Sequence, residues 1–273
     1  VLTLGYIVLG LIFFGAIIYL WRSGYVGHWL IHLSRFIVLN VEFPKVYDRS
    51  DTGRNIRKMM SLLNSFSGFK MPIALEVVMP HFQSGIHFHI AVPHSSFRFI
   101  KARLDKIWPE ASVRREDNAS LFYANAVIKA AYLTRASEVS STLDIEPAEK
   151  DVLKNFSKIF FSKRSMDSGA VFQILIKPTR EKLAKKIKLE KPIFTTNIRL
   201  LAFAANELET DELMTNMLKY FKKFRSDNAN FFSIIKARNS QKLAHQFSYR
   251  ELDSNQTVFL SGKEISTLIH LPS

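Results

Sequence analysis

An α+β fold, with one N-terminal transmembrane helix followed by two tandem βαββαβ units, is predicted for this 273-residue chain by three observations. Residues 1–21 form an apolar run without a charged side chain, ended by Arg22. Beyond it, short stretches with an apolar residue at every second position alternate with longer stretches of helical period, the patterns of half-buried strands and amphipathic helices. The order strand, helix, strand, strand, helix, strand is then met twice between residues 36 and 238.

The apolar run comes first because it places everything else. About 20 helical residues at ~1.5 Å each span the roughly 30 Å hydrocarbon core of a bilayer. Tyr19, Trp21, Tyr25 and Trp29 cluster at its end, where amphipathic rings prefer the headgroup level. A cleaved leader has a basic start, a shorter apolar core and a small-residue cleavage site, whereas this longer run leaves through Tyr-Leu-Trp-Arg. In residues 22–35, Tyr25, Val26, Trp29, Leu30 and Leu33 share a helical stripe, which predicts a juxtamembrane helix lying in the interface. Basic residues follow, from Arg22 and Arg35 to Arg57 and Lys58. The positive-inside rule then puts the soluble part in the cytoplasm, behind a single pass through the plasma membrane. The chain begins with Val rather than Met, so a preceding piece is expected.

The first unit is expected over residues 36–118. Ile37, Leu39, Val41 and Phe43 alternate with Val38, Asn40 and Glu42, and Pro44 ends this strand. Asp51 or Thr52 caps a helix with Ile56, Met59, Met60, Leu63 and Phe66 on one face, closed by Ser67-Gly68. Ile73, Leu75, Val77 and Met79 make a second strand, and a turn over 80–85 leads into a third with Ile86, Phe88, Ile90 and Val92. Ser95 or Ser96 caps the next helix, with Phe97, Ile100, Leu104, Ile107 and Trp108 inward, and residues 111–116 make a weak fourth strand.

The second unit is expected over residues 119–238. An apolar stretch at 122–133 predicts a strand, and Glu146-Pro147 starts a helix running to Phe160, proline being suited to the first helical position. Strands follow at 171–176 and 193–204. Thr210-Asp211-Glu212 opens a helix with Leu213, Met217, Leu218, Phe221 and Phe224 inward. Its acids stand at the start and Lys222, Lys223 and Arg225 at the end, as the helix dipole favours. Residues 231–237 make the last strand. The result is two tandem ferredoxin-like units, helices covering one face of each sheet, the second enlarged by a basic insertion at 180–191. Residues 239–273 carry a helix at 243–252 and a strand at 258–260, and close as a lead-in to a further domain.

Composition narrows the chemistry. Hydrophobic content of 47% with 23 Phe supports real cores, and 23% charged residues argues against disorder. The absence of cysteine excludes disulfides, thiolate zinc sites and cysteine nucleophiles. A net charge of +14 favours an anionic neighbour, and residues 150–191 concentrate it, with 12 basic against 4 acidic residues. Within that region Arg180, Lys182, Lys185, Lys186, Lys188 and Lys191 could meet DNA phosphates or acidic lipid, or form only a solvated helix face; all three readings stay open here.

Ser261-Gly262-Lys263 lacks the phosphate-loop context: Thr257 stands where the earlier glycine belongs and Glu264 where Ser or Thr belongs. His28 and His32 are four apart without the accompanying glutamate, and His87 and His89 share one strand face, where they are expected to meet water while Ile86, Phe88 and Ile90 face the core. No catalytic residue, cofactor or metal is expected.

Four stretches carry a family resemblance: Val41-Glu-Phe-Pro44 with the helix from Met59 to Phe66; Ile73-Ala-Leu-Glu-Val77 with Gly85-Ile-His-Phe88; Trp108-Pro-Glu-Ala111; and Leu260 with Ile265-Ser-Thr-Leu-Ile-His-Leu-Pro272. Together they resemble the N-terminal, membrane-anchored region of the type IV secretion and conjugative DNA transfer ATPase family, where an uncharacterised domain precedes the ATPase. The resemblance implies a non-enzymatic, homo-oligomeric module that tethers a DNA-translocating ATPase domain or subunit to the membrane. The family's ATP-binding residues have no counterpart in this chain. A structural scaffold of a membrane or pilus complex without DNA contact is the alternative.

Overall fold

A computed structural model of the chain describes residues 36–44, 52–80, 85–116, 122–123, 125–136, 167–187, 189–222, 224–226 and 229–271. The expected spanning helix at 1–21, the interfacial helix at 22–35 and the helix expected from Glu146 lie outside these residues. The chain divides into two units, 1–36 and 37–273, and the second is described here. Among the described residues no helix is long and apolar enough to cross a membrane.

The first half contains β1 (Phe36–Glu42), α1 (Thr52–Asn64), β2 (Ile73–Met79), β3 (His87–Pro93), α2 (Phe97–Ile107) and β4 (Ser112–Glu116). The second contains β5 (Val127–Arg135), β6 (Gly169–Pro178), a one-turn α3 (Glu181–Ala184), β7 (Ile193–Ala204) and α4 (Glu207–Phe221). A ribbon of β8 (Arg225–Ser226) and β9 (Ala229–Asn230) leads to β10 (Phe232–Lys236). The chain continues through α5 (Ser240–Ser248), β11 (Val258–Ser261) and α6 (Gly262–Leu268).

Eight strands line up as β10-β5-β7-β6-β2-β3-β1-β4, and β11 adds to β7 to complete a nine-stranded sheet. The fold is α+β with a mostly antiparallel sheet. In each half the first strand lies between the fourth and the third, and the second strand flanks the third. The halves are joined by β2 and β6, paired from Ile73 with Ile176 to Met79 with Ala170. The boundary expected near 118 therefore does not separate two sheets. Both central strands are covered on both faces, since all seven residues of β2 and the first eight of β6 are buried.

One face of the sheet is apolar and helix-covered. Leu39, Leu75, Phe172, Ile174 and Leu200 meet Met59 and Leu63 of α1, Ile100 and Leu104 of α2, Leu213 and Met217 of α4, and Ile265 and Leu268 of α6 in one core. Burying each such side chain stabilises the fold by about 1.5–3 kcal/mol. The opposite face is covered too, by α5 with Leu243, Ala244 and Phe247 against Tyr132, Val171, Leu201 and Phe203. This corrects the expectation of helices on one face only.

Several boundaries moved for local reasons. Asn206 caps α4, its side-chain oxygen accepting from Glu209 N at 2.9 Å, so the helix starts before the expected Thr210; that threonine is buried and its hydroxyl donates to Asn206 O at 2.7 Å. β5 starts at Val127 rather than 122 because Asn125 turns the chain at φ 67°. Helix α5 runs over 240–248 rather than 243–252. Its stop is hidden in the sequence, since Arg250 rather than glycine takes the left-handed position at φ 52°. The backbone closes there as a helix end does, Glu251 N donating to Gln246 O at 3.0 Å and Arg250 N to Phe247 O at 3.1 Å.

The tail from residue 239, expected as a lead-in, is built into this unit. β11 pairs with β7 from Val258 with Thr196 to Ser261 with Ile193, and α6 packs in the core. Ser261 caps α6 in a capping box with Glu264. Glu264 also takes Arg135 Nη2 at 2.9 Å, and the Arg135 guanidinium lies 4.9 Å from the centre of the Phe231 ring. One buried carboxylate thus ties the end of β5 to the start of α6.

Candidate functional site

The predicted basic residues meet on one loop, the connection between β6 and β7. Thr179 N donates to Ile193 O at 3.0 Å and closes its base. Arg180, Lys182, Lys185, Lys186 and Lys191 are exposed on it, and Lys188 lies outside the described residues. The loop carries the single helical turn α3, on which Lys185 pairs with Glu181 at 2.9 Å. Exposed pairs of this kind contribute little, so the loop keeps a strong positive surplus. Between the lysines, Leu183 is exposed by 42%. Gly262, at the start of α6, supports the loop from below: its N–H donates to Pro192 O at 2.8 Å, and a Cβ there would lie 3.2 Å from Pro192 Cγ.

Strand direction places this loop in the fold. Ile73 pairs with Ile176 and Pro178 with Phe194, so the loop projects from the end of the sheet where β2 begins. The 13 residues of α1, ~20 Å long at ~1.5 Å each, carry the chain once across the sheet from the Glu42 end of β1 to β2. The start of β1 therefore lies at the loop's end of the sheet. Lys70, exposed before β2, and Lys177, at the end of β6, belong to this end as well. Lys177 adjoins the loop in the chain, whereas Lys70 is brought to it only by the pairing of β2 with β6. At the opposite end, where β7 finishes, α4 opens with exposed Glu207, Asp211 and Glu212.

Of a second constellation, only His89 is singled out in the sequence. Tyr132, Arg199, Gln173, Glu76 and His89 stand directly opposite one another on β5, β7, β6, β2 and β3, forming one row across five strands. All five are buried on the face under α5. Arg199 Nη1 donates to Gln173 Oε1 and to Gln246 O, both at 3.1 Å, and Nη2 donates to Asn197 Oδ1 at 3.2 Å and to Glu251 O. Gln173 Nε2 donates to Glu76 Oε1 at 2.8 Å, and Arg250 reaches both oxygens of Glu76 at 3.1 and 3.2 Å. The Tyr132 hydroxyl lies 3.0 Å from Gln246 Oε1 and 3.2 Å from Asp253 Oδ2. Asn197 holds the following loop, donating to Asp253 O at 2.9 Å and Gln256 O at 2.8 Å.

The row works as a polar seam that fastens residues 246–256 to the sheet. Burial lowers the affinity of Arg199 for its proton, and burial pushes the Tyr132 hydroxyl up to about 12. At the seam's end His89 is buried, not facing water as expected, with Nε2 3.1 Å from Glu116 Oε2 and Nδ1 3.9 Å from Glu76 Oε2. Burial lowers its pKa, against the opposing pull of Glu76 and Glu116. Among the described residues no group of three His, Asp or Glu side chains is arranged to hold a metal.

No family model matches the chain, and no curated protein matches it. Among solved structures it is similar to a protein designated chlorite dismutase TA0507, at 11% identity and a TM-score of 0.24, over 85% of this chain and 98% of that one. It is also similar to an unknown protein from Galdieria sulphuraria, at 13% identity and a TM-score of 0.21, over 75% and 98%. At such scores neither likeness carries an argument about fold or activity.

Proposed function

We propose that this chain is a non-catalytic membrane-anchoring and docking module, two tandem ferredoxin-like units that tether a DNA-translocating ATPase domain or subunit to the plasma membrane as a homo-oligomer. The strand order within each half supports the ferredoxin-like reading, being 4-1-3-2 in both. The observation that carries the role is the position of Val258–Leu271, which overlaps the last of the four resembling stretches, the one similar to the segment that leads into the family's motor domain. It is paired to β7, packed among the helices and clamped through Glu264 to Arg135. A motor coupled through such a segment would be held at a fixed place on the module and would pull against it without slack.

The test is removal of residues 1–35 from the natural protein in cells. The ATPase is expected to leave the membrane fraction and DNA transfer to stop. An ATPase that stays at the membrane with transfer intact would overturn the reading. Loss of an envelope complex, with the ATPase still in place, would favour the scaffold alternative.

A further inference from the structure

We propose that the outer edge of β10 takes an extended peptide as a further strand of the sheet, an acidic segment of a partner protein seated in the groove between β10 and α4. Among the described residues β10 ends the strand order, with β5 as its one neighbour. Hydrogen bonds fix which of its backbone groups face outward. Ala136 N donates to Phe231 O at 3.0 Å and Ala237 N to Ala130 O at 2.9 Å, so residues 231, 233, 235 and 237 turn toward β5. Phe232, Ile234 and Lys236, between them, turn their N–H and C=O groups to the open edge. Such a row is a template for another strand, and proteins guard it with charge or proline. The opposite edge is guarded in this way, since β4 carries Arg114, Arg115 and Glu116 among its five residues. β10 instead carries Ile234 and Ile235, the latter exposed by 40%, and one lysine.

The groove beside this edge selects the side chains of the added strand. Its volume is about 550 Å³, and Leu218 of α4, Lys222 at that helix's end, Phe232, Ile234 and Lys236 line it. Residues directly opposite one another in a sheet share a face, so peptide residues paired with 232, 234 and 236 enter the groove. The one opposite Ile234 meets apolar surface. Lys222 follows Phe221, whose ring lies 6.1 Å from that of Phe232, and Lys236 stands two residues beyond Ile234, so an exposed lysine marks each end. A strand with the pattern acid, any residue, apolar, any residue, acid therefore fits, its backbone held by β10 and its acids by the two lysines. A second copy of β10 fits less well, because it would bring its own Lys222 and Lys236 to the same groove. All of these residues belong to the described unit, and the site needs no membrane anchor.

The test uses the full chain and a fluorescein-labelled heptapeptide, Thr-Glu-Thr-Ile-Thr-Glu-Thr, read by fluorescence anisotropy. Saturable binding is expected, and the same peptide with Lys for Glu should not bind. N-methylation of the peptide's central Ile removes the amide that donates to Ile234 O and should abolish binding; N-methylation of the Thr beside it, whose amide points away from β10, should not. In the chain, Ile234→Pro removes only an outward N–H, so the melting transition is expected to persist while binding is lost. Should that variant fail to fold, the two N-methylated peptides decide. Lys222→Glu with Lys236→Glu should weaken the acidic peptide about tenfold and admit the basic one. No binding of the acidic peptide, or binding that survives the central N-methyl group, overturns the proposal. Unchanged affinity in the lysine variant overturns the acidic partner. The chain has no cysteine, so a disulfide between two Ile234→Cys chains, with no peptide bound by the unmodified chain, would overturn it in favour of a second copy on this edge.

Discussion

The two faces of the same sheet both carry an apolar cluster, and the face under α5 adds a buried polar row. On one, Phe172, Ile174, Leu200 and their neighbours bury apolar surface under four helices, a non-directional attraction that scales with area. On the other, Arg199, Gln173 and Glu76 are as deeply buried but are fixed by directed hydrogen bonds to the backbone and side chains of 246–256. The first face tolerates shape changes and pays mainly in volume. The second allows one register only, since a shift of one residue would leave each of its donors and acceptors unpaired in a dry interior.

The largest effects should break the two faces in different ways. Phe172→Ala opens a cavity on the apolar face and is expected to destabilise by about 3–5 kcal/mol in denaturant melts. Arg199→Ala should cost a similar ~3–5 kcal/mol, and Arg199→Met should recover only part of it, because Gln173, Asn197, Gln246 and Glu251 all lose a donor. Full recovery by Met would show that the seam holds by volume alone, like the other face.

A smaller effect is expected from pH. The folded pKa of His89 lies below its unfolded value, so between the two the folded state binds fewer protons than the unfolded state. Stability present above pH ~6.5 is therefore lost as the pH drops through that value toward the folded pKa. His89→Gln should flatten this part of the stability curve; an unchanged slope would mean that another group sets it. Smallest of all, Lys182→Ala with Lys186→Ala should change stability by no more than about 0.5 kcal/mol, since both side chains are exposed on the loop. A larger loss would show that the loop supports the fold rather than serving a surface.

Much of the apolar face was legible. The alternation of Ile73, Leu75, Val77 and Met79, and the helical spacing of Met59 and Leu63 or Leu213 and Met217, describe residues whose inward direction follows from backbone geometry alone. The basic loop was legible both as composition and as an insertion between two strands. His89 is expected to face water, because alternation says which residues point away from one core and nothing of what covers them; it is buried.

The sequence by itself determined the order of elements, the apolar face of the sheet and the concentration of positive charge near its middle, all of which depend on neighbours within a few residues. Tertiary structure alone decided that β2 meets β6 and makes one sheet of two halves, that the tail enters as β11 and α6, and that Tyr132, Arg199, Gln173, Glu76 and His89 form a row. Those partners lie up to 123 positions apart in the chain, between Glu76 and Arg199 within the row, and only strand register sets them side by side. Pairing across such distances is chosen by the free energy of the whole sheet, which no local stretch of residues contains.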